Sequence, residues 1–544
     1  MSNKILKGTF WLTGAAFISK FLGMIYIIPF NELVGPKGGA LYYYAYSPYT
    51  ILISISTIGI PMAISKMVSK YNSLGQYETG LRIFKASLLL MLCTGITAFL
   101  ILFFSAEWLA ERFVYGDNKY NNKVEDVKRV IQMVSFALIL IPGMSIVRGY
   151  FQGNQKMEPT AISQVVEQIV RIAFVLISAF IIVKIYDGSI PLAVSFATFA
   201  AFIGALASCF VLFIAWRKRD ELISFEQIKA PRKLPYLSTK ELFKELLSYA
   251  GPFVLVGITI PLYQLVDSFT FNRAMILSGN GEIAELSLSA ITFYGHKLII
   301  IPVTLATGLS LTIVPALTES FTKQNRPKLI HEINQSLQIV LFFVIPAVIG
   351  LMTLSYEAYG ALYGMENLSL TGNLLRWYSP VALFFALYTV SAAILQGINE
   401  QRFTLISLTA GFLVKVIFNS MFIHMFAGVG SIIVTGLAIG IATMLNLWRI
   451  QRAIHFSYIK TFKRTLFMFI FSIVMCIVIY GIKYLFGFFL PYDESRFAAT
   501  VMLLIGVTIG AFVYLWLTYK STLMDYVLGS TNLLDRFRRR KRAH

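Results

Sequence analysis

The chain carries about fourteen long apolar blocks separated by short connections, and this pattern constrains its fold more than any other feature. Hydrophobic residues make up 57% of the 544 residues, and charged residues only 14%. A run of about 18 or more apolar residues is long enough to cross a bilayer as a helix. Because lipid offers backbone amides no hydrogen-bonding partner, such segments form helical bundles. The sequence therefore predicts an all-α, multi-pass membrane protein with about fourteen transmembrane helices.

The predicted spans follow the apolar blocks between interrupting charges. They are Gly8–Phe30, Ala40–Ser65, Phe84–Phe104, Val127–Val147, Thr160–Val183, Pro191–Trp216, Ser248–Phe271, Leu288–Leu317, Ile333–Ser355, Leu375–Leu395, Thr404–Ile423, Ser431–Trp448, Thr465–Phe486 and Phe497–Leu517.

Positive charges alternate with acidic ones from one connection to the next, as expected when cations mark the cytoplasmic side. Arg148 and Lys156 are assigned to one cytoplasmic connection. Both termini are predicted to be cytoplasmic, and the protein is expected in the plasma membrane as a monomer. The basic run Arg538–Arg542 accounts for part of the net charge of +20. A juxtamembrane run of this kind is expected to bind anionic lipid headgroups rather than nucleic acid.

A short pattern recurs six spans apart. Gln152-Gly153, followed by Thr160, Ile162, Ser163 and Arg171, matches Gln396-Gly397, followed by Thr404, Ile406, Ser407 and Lys415. An even displacement keeps the same orientation, so the repeat predicts two parallel six-helix lobes plus two extra C-terminal helices. The predicted domains are an N-lobe (1–216), a cytoplasmic linker (217–247), a C-lobe (248–450), the last two helices (451–518) and a basic cytoplasmic tail (519–544).

Several charges lie inside the predicted spans, where they are costly and tend to face a bundle interior or a wet cavity. The candidate substrate-binding residues are Lys20, Arg171, His296, Lys297 and Lys415. Two acidic residues, Glu167 and Asp267, are candidates for ion coupling or ion pairing, and Glu167 stands one turn before Arg171. A structural ion pair between Glu167 and Arg171, and snorkelling of Lys415 to an interface, are the competing structural interpretations. The excess of cations favours an anionic substrate.

Soluble-enzyme motifs are missing from the sequence: it contains no Gly-Lys-Ser/Thr phosphate loop, no His-Glu-x-x-His and no Cys-x-x-Cys. The chain is therefore predicted to be a transporter that needs no cofactor and no bound metal. Without a nucleotide site, Na⁺ coupling, H⁺ coupling and the membrane potential are the candidate driving forces.

Three motifs resemble those of the MOP exporter superfamily in its polysaccharide-flippase branch, which includes the MurJ-type lipid II flippases and their SpoVB-like relatives. The motifs are Ser19-Lys20-Phe21-Leu22-Gly23, Gln152-Gly153…Pro159-Thr160 and His296-Lys297-Leu298…Pro302…Pro315. By this resemblance, Lys20 and Lys297 stand where the family carries cavity arginines that hold the substrate pyrophosphate. The chain departs from the Gram-negative pattern at Tyr26-Ile27 and Leu52-Ile53, where that type has Arg-Asp and paired arginines.

The resulting hypothesis is a flippase that moves lipid II, an undecaprenyl-pyrophosphate-linked peptidoglycan precursor, to the outer leaflet by alternating access during cell wall biosynthesis. The cell-wall synthesis machinery is a candidate partner. One alternative is a flippase for another polyprenyl-linked saccharide, of the teichuronic acid or spore cortex type. Others are a multidrug or ion antiporter of the same superfamily, and a membrane-embedded glycan polymerase that would depend on Asp267.

Overall fold

The fold is all-helical throughout the part of the chain that the computed structural model describes. The described residues are 14–15, 18–19, 21–57, 60–73, 75–114, 122–154, 156–218, 258–489, 491–492 and 494–528. Within these ranges no strand is present. The chain forms two compact units, which divide between Ser289 and Ala290.

The first unit contains nine α-helices among the described residues. They are α1 (Ile27–Thr57), α2 (Ile60–Ser73), α3 (Tyr77–Phe113), α4 (Val124–Ser135), α5 (Ala137–Gly153), α6 (Glu158–Phe180), α7 (Ile190–Arg217), α8 (Thr259–Leu277) and α9 (Ala284–Ser289). A π-helical turn (Ile181–Ile185) continues α6. Helices α8 and α9, which the sequence assigns to the C-lobe, pack against α1 in this unit.

The second unit opens with a π-helical segment (Ala290–Gly295). Its α-helices are α10 (His296–Thr322), α11 (Arg326–Thr353), α12 (Ser355–Tyr363), α13 (Leu368–Tyr378), α14 (Val381–Gly397), α15 (Gln401–Phe426), α16 (Gly428–Ile454), α17 (Ile459–Gly487), α18 (Arg496–Lys520) and α19 (Leu523–Leu528).

Eleven helices among the described residues are long and apolar enough to cross a membrane. They correspond to the predicted spans three to six and eight to fourteen, so the prediction of a multi-pass, all-α membrane protein is confirmed. The predicted first, second and seventh spans each include residues outside the described ranges. The total of fourteen and the cytoplasmic position of both termini therefore stay predictions.

The backbone of α1 breaks at Gly35, which has a φ of 63° and a ψ of −174°. Glycine adopts a positive φ without the steric cost that a Cβ imposes, and Pro36, which follows, has no amide hydrogen to donate. The break lies between the end of the predicted first span and the start of the second. This Gly-Pro pair therefore turns the chain where the apolar pattern expects one helix to end and another to begin.

Corresponding glycines make corresponding close contacts in the two halves of the repeat. A Cβ on Gly153 would lie 2.8 Å from the carbonyl oxygen of Ser65 and from Cβ of Val68, on α2. A Cβ on Gly397 would lie 2.6 Å from Cβ of Leu317, on α10. In each half, the helix that ends in the Gln-Gly pair packs at that end against the last residues of the span two positions earlier in the chain. These contacts support the internal repeat.

The last two long helices, α17 and α18, pack on α11 and α12 through an apolar core and through polar contacts. Tyr514 donates a hydrogen bond to the carbonyl oxygen of Phe342 at 2.9 Å, and both residues belong to that core. Lys483 forms a 2.6 Å ion pair with Glu357, whose side chain is fully buried. The two helices are therefore fixed parts of the second unit.

Candidate functional site

Arg171 lies halfway along the apolar helix that runs from Glu158 to Ile185, 13 residues from one end and 14 from the other. At about 1.5 Å of rise per residue, each end is about 20 Å away, too far for the side chain to reach an interface. The residue is nevertheless partly exposed. Exposing a guanidinium to lipid at this depth costs about 2.5–3.5 kcal/mol or more, so water or a polar ligand is the expected neighbour.

Two tyrosines of α1, together with the tyrosine that directly precedes this helix, surround the guanidinium. Arg171 donates hydrogen bonds from Nη2 to the hydroxyls of Tyr42, at 3.4 Å, and of Tyr46. The Tyr42 hydroxyl is also 3.3 Å from that of Tyr26. The rings of Tyr42 and Tyr46 stack at 4.4 Å, and the guanidinium lies 5.2 Å from the Tyr46 ring centre. We refer to Arg171, Tyr26, Tyr42 and Tyr46 as the Arg171–tyrosine cluster.

No carboxylate pairs with Arg171 within the described ranges, where its hydrogen-bond partners are the two phenols. Both hydrogen bonds use the same nitrogen, although a guanidinium offers five N–H donors in a fixed fork. Tyr26 and Tyr42 are buried, whereas Tyr46 is partly exposed like the arginine. The cluster therefore holds a cation in a fixed position and leaves donors for a further acceptor.

Two described residues of the first predicted span contact α6 at matching intervals of four residues. Ser19 Oγ lies 3.5 Å from the carbonyl oxygen of Gln164, and a Cβ on Gly23 would lie 3.0 Å from Nε2 of Gln168. One further turn along, Tyr26 joins the Arg171–tyrosine cluster through Tyr42. Ser19 and Gly23, the first and last residues of the Ser-Lys-Phe-Leu-Gly motif, therefore lie on a helix face in contact with α6. Lys20 itself lies outside the described residues, so its side chain has no structural account.

Glu167 pairs with Arg148 rather than with Arg171. Arg148 donates to the Glu167 carboxylate at 2.7 Å, to Ser208 Oγ at 2.8 Å and, through Nε, to Ser163 Oγ at 3.0 Å. The predicted Glu167–Arg171 pair is therefore wrong. A partner on the neighbouring helix α5 takes the carboxylate. Arg148 itself lies within α5 and not in the connection that follows it, and its side chain is only 13% exposed.

The second unit joins its equivalent helices with neutral groups. Ser407, the repeat counterpart of Ser163, donates to Oδ1 of Asn446 at 2.6 Å. Asn446 in turn donates to Ser391 Oγ at 3.2 Å. These hydrogen bonds connect α14, α15 and α16. Arg148 connects the equivalent helices α5, α6 and α7 in the first unit. The charged network of the first unit thus has an uncharged equivalent, which favours a packing role for both.

Lys415, the repeat counterpart of Arg171, has no exposed surface. Its ammonium group donates to Thr435 Oγ1 at 2.8 Å and to the carbonyl oxygen and Oγ of Ser431, both at 3.2 Å. All three acceptors belong to α16. The side chain neither snorkels nor lines an open surface in this structure; it holds α15 against α16.

His296 and Lys297 follow the π-helical segment Ala290–Gly295 directly. Single π-helical turns within α-helices are frequent at functional sites. Nδ1 of His296 is 3.0 Å from the hydroxyl of Tyr378, and its ring lies edge-on to Phe385 with ring centres 6.2 Å apart. Lys297 is partly exposed and lies 16 residues from the start of the apolar helix Gly281–Ser310, again far from either end.

Asp267 is 5% exposed and lies on α8, beside a row of hydrogen bonds that joins α8 to α1. Ser268 Oγ is 2.8 Å from Ser47 Oγ, and Tyr43 donates to the carbonyl oxygen of Gln264 at 2.6 Å. Asn272 donates to the hydroxyl of Tyr44 in the same row. No described group of three or more His, Cys, Asp or Glu residues could hold a metal ion.

The tyrosines of the cluster are functional candidates that the sequence reasoning missed. Tyr42, Tyr46 and Tyr49 stand at positions i, i+4 and i+7, which share one face of a helix. A polar aromatic face inside an apolar span is a readable signal, because a buried tyrosine hydroxyl needs a partner. The cation that supplies the partner comes from α6 and could not be identified from α1 alone.

The helical bundle and its charges at mid-span define a class. A many-spanning protein with cations at the centres of apolar helices has the features of a membrane transporter. Its fold agrees with this class. It matches the solved structure "Lipid II flippase MurJ, inward closed conformation" with a TM-score of 0.67 and 19% identity, covering 95% of this chain and 99% of that one.

Two further comparisons agree. The inward-facing conformation of a multidrug resistance MATE family transporter of the MOP superfamily matches with a TM-score of 0.62 and 16% identity, over 79% of this chain and 95% of that one. The Lipid II flippase MurJ of Bacillus subtilis (strain 168) is 45% identical over 532 residues, 97% of each chain.

Residues 5–321 match the family model described as "Polysaccharide biosynthesis protein". The chain belongs to this polysaccharide biosynthesis protein family. The resemblance predicted from its three short motifs is confirmed.

Proposed function

We propose that this protein is a flippase for lipid II in the plasma membrane, and that it moves this lipid from the cytoplasmic to the outer leaflet by alternating access. The observation that carries the proposal is the 45% identity to Lipid II flippase MurJ of Bacillus subtilis, which extends over 97% of both chains. An alignment of this length extends over nearly the whole chain and is not confined to one motif. The protein is a transporter and not an enzyme.

The proposed substrate contacts are Lys20 and Lys297, which would bind the pyrophosphate, and Arg171, which would contact another part of the headgroup. Partly exposed cations at mid-span, such as Lys297 and Arg171, suit a headgroup that carries negative charge through an apolar layer. Lys415 is left out of this set because its ammonium group is enclosed by Ser431 and Thr435. His296 is proposed to orient the start of α10 through Tyr378.

The membrane potential is the proposed driving force. An inside-negative potential favours outward movement of net negative charge by about 2.3 kcal/mol per charge per 100 mV. Asp267 is the remaining candidate for coupling to Na⁺ or H⁺, because it is buried on α8 next to the hydrogen bonds with α1. Glu167 is proposed to serve packing instead, through its pair with Arg148.

Complementation tests the proposal in cells. Cells depleted of their own lipid II flippase would express this chain, its Lys297→Gln variant or its Lys323→Gln variant. Lys323 is the matched control because it lies near the end of the same helix, exposed and paired with Glu319. We expect the wild type and Lys323→Gln, but not Lys297→Gln, to restore lipid II to the outer leaflet at equal expression.

The same experiment separates the alternatives. Failure of the wild-type chain to restore outer-leaflet lipid II, with another polyprenyl-linked saccharide accumulating in its absence, would assign a different substrate. Glycan chains produced from lipid II by the purified protein would instead indicate a polymerase.

A further inference from the structure

The Arg171–tyrosine cluster has the composition of a binding site for a polar, anionic group, and the proposed function does not by itself explain its tyrosines. Arg171 stands at mid-span, has no carboxylate partner in the described ranges and uses one nitrogen for both of its hydrogen bonds. Arg148 of the same unit is paired with Glu167, and Lys415, the repeat counterpart of Arg171, has no exposed surface, whereas Arg171 is partly exposed. The difference between these two arginines of one unit indicates different roles.

The cluster also has two layers. Tyr26 and Tyr42 are buried, with 7% and 3% of their surfaces exposed, and their hydroxyls are linked to each other and to Arg171. Tyr46 and Arg171 are partly exposed and in contact through a hydrogen bond and a cation–π interaction. The buried layer therefore fixes the guanidinium, and the exposed layer presents a fork of N–H donors beside an aromatic ring with a hydroxyl.

A charged fork beside a tyrosine suits a group in which sugar rings are joined to a peptide that carries carboxylates, as in a peptidoglycan precursor. Arginine binds carboxylate and phosphate oxygens through two parallel hydrogen bonds. A tyrosine ring offers an apolar face and a polar tip, which fits the mixed surface of a sugar ring with its hydroxyls. A bare pyrophosphate would use the arginine but would gain nothing from the aromatic ring.

The position along the helix axis also separates this cluster from the first-span motif. The contacts of Ser19 with Gln164 and of Gly23 with Gln168 place residue 19 about seven residues before the level of Arg171. Seven residues correspond to about 10 Å along a helix axis. Ser19 and the cluster therefore lie at different levels along α6.

We propose that the Arg171–tyrosine cluster is a subsite for the sugar-peptide part of the transported lipid, beyond its pyrophosphate, in which Arg171 and Tyr46 contact the ligand while Tyr26 and Tyr42 are positioning residues. This inference rests on the proposed function, since it assigns one part of the proposed substrate to one part of the protein. The substrate's specificity would then depend on residues that do not bind its pyrophosphate.

Two ligands that share the lipid tail and the pyrophosphate test the proposal. Undecaprenyl pyrophosphate has both of these parts of lipid II but has neither its sugars nor its peptide. The affinity of each ligand would be measured by native mass spectrometry for the full-length protein and for its Arg171→Gln, Tyr46→Phe and Tyr49→Phe variants. Tyr49 is the matched control, because its ring contacts Tyr46 edge-on at 5.3 Å but its hydroxyl has no hydrogen bond to Arg171 in the described structure.

We expect Arg171→Gln to weaken lipid II binding by about 10- to 100-fold, the effect of losing hydrogen bonds to a charged group, and to leave undecaprenyl pyrophosphate binding unchanged. Tyr46→Phe should weaken lipid II binding selectively and by less, and Tyr49→Phe should change neither affinity. An equal loss for both ligands would place the pyrophosphate at Arg171 and overturn the proposal. Unchanged lipid II binding in Arg171→Gln would overturn it as well.

Failure of the proposed function gives a different result. In that case the wild-type protein would not prefer lipid II over undecaprenyl pyrophosphate, and the subsite proposal would fall with it. A wild-type preference for lipid II that survives Arg171→Gln would leave the flippase intact and remove only the subsite. Melting temperatures of all variants in detergent identify any loss of binding that follows from misfolding.

Discussion

Breaking the Arg148–Glu167 pair from one side should be costly, and removing both partners together should not. In the Arg148→Met variant the Glu167 carboxylate loses its ion-pair partner, and Ser163 and Ser208 each lose a donor. In the Arg148→Met/Glu167→Leu variant, apolar side chains of comparable size replace both charges. The comparison asks whether this network stabilises packing or serves ion coupling.

The exposure of the two side chains sets the expected magnitude. Arg148 is 13% and Glu167 20% exposed, so both charges are mostly withdrawn from solvent. Removing one partner of a buried pair costs about 3–5 kcal/mol, and residual exposure favours the lower end, about 3 kcal/mol. Replacing both partners by packed apolar residues is often neutral or stabilising, so the double variant should lie within about 1 kcal/mol of the wild type.

Reversible unfolding in mixed micelles with increasing SDS measures these free energies. With about 3 kcal/mol lost in each single variant, Arg148→Met and Glu167→Leu, and about 1 kcal/mol or less in the double variant, the double-mutant cycle should give a coupling energy of about 5–7 kcal/mol between the two positions. A double variant as unstable as the sum of its single variants would refute the reasoning. If the double variant is stable and still transports, Glu167 is not the coupling residue; if it is stable and inactive, the packing assignment is wrong.

Three further predictions follow from other contacts. In a variant with the three native cysteines replaced by serine, Ser47→Cys/Ser268→Cys should form a disulfide on oxidation, because the two Oγ atoms are 2.8 Å apart. This disulfide should stop transport until it is reduced. Full activity of the cross-linked protein would show that α1 and α8 need not separate. Lys415→Met should keep transport and change the free energy of unfolding by less than about 1 kcal/mol, since a similar-sized apolar side chain can replace a buried cation. A stable but inactive variant would indicate that Lys415 belongs to the substrate site. Gly153→Leu should lower the free energy of unfolding by about 1–3 kcal/mol, because a Cβ at this position already meets α2 at 2.8 Å. Gly481→Leu should lower it by less, because there is open space around Gly481. The same SDS titration measures both values.

The span pattern was readable from the sequence because burial in lipid depends on local composition. Each described helix from α3 onward that crosses the membrane coincides with an apolar block, and the Gly35-Pro36 break falls between two blocks. The parallel repeat was readable for the same reason, since its Gln-Gly pairs end equivalent helices and make equivalent tight contacts at Gly153 and Gly397.

The partners of the buried charges were not readable, because they come from other helices. Glu167 and Arg171 lie on one helix at a spacing that permits pairing. The structure pairs Glu167 with Arg148 of α5 and surrounds Arg171 with tyrosines instead. The apolar pattern places Arg148 in a loop because it stands near the end of an apolar block. Interhelical geometry, and not spacing within one helix, decides which cations are paired and which remain available to a ligand.

Translocation of fluorescent lipid II in proteoliposomes tests the central claim most directly, namely that partly exposed cations at mid-span serve to carry an anionic headgroup across the apolar layer. The measurement follows appearance of the headgroup in the far leaflet with and without an imposed potential. We predict translocation by the wild type and by Lys323→Gln that is faster when the receiving side is positive, and none above background for Lys297→Gln combined with Arg171→Gln. Normal translocation by that folded double variant would contradict the account.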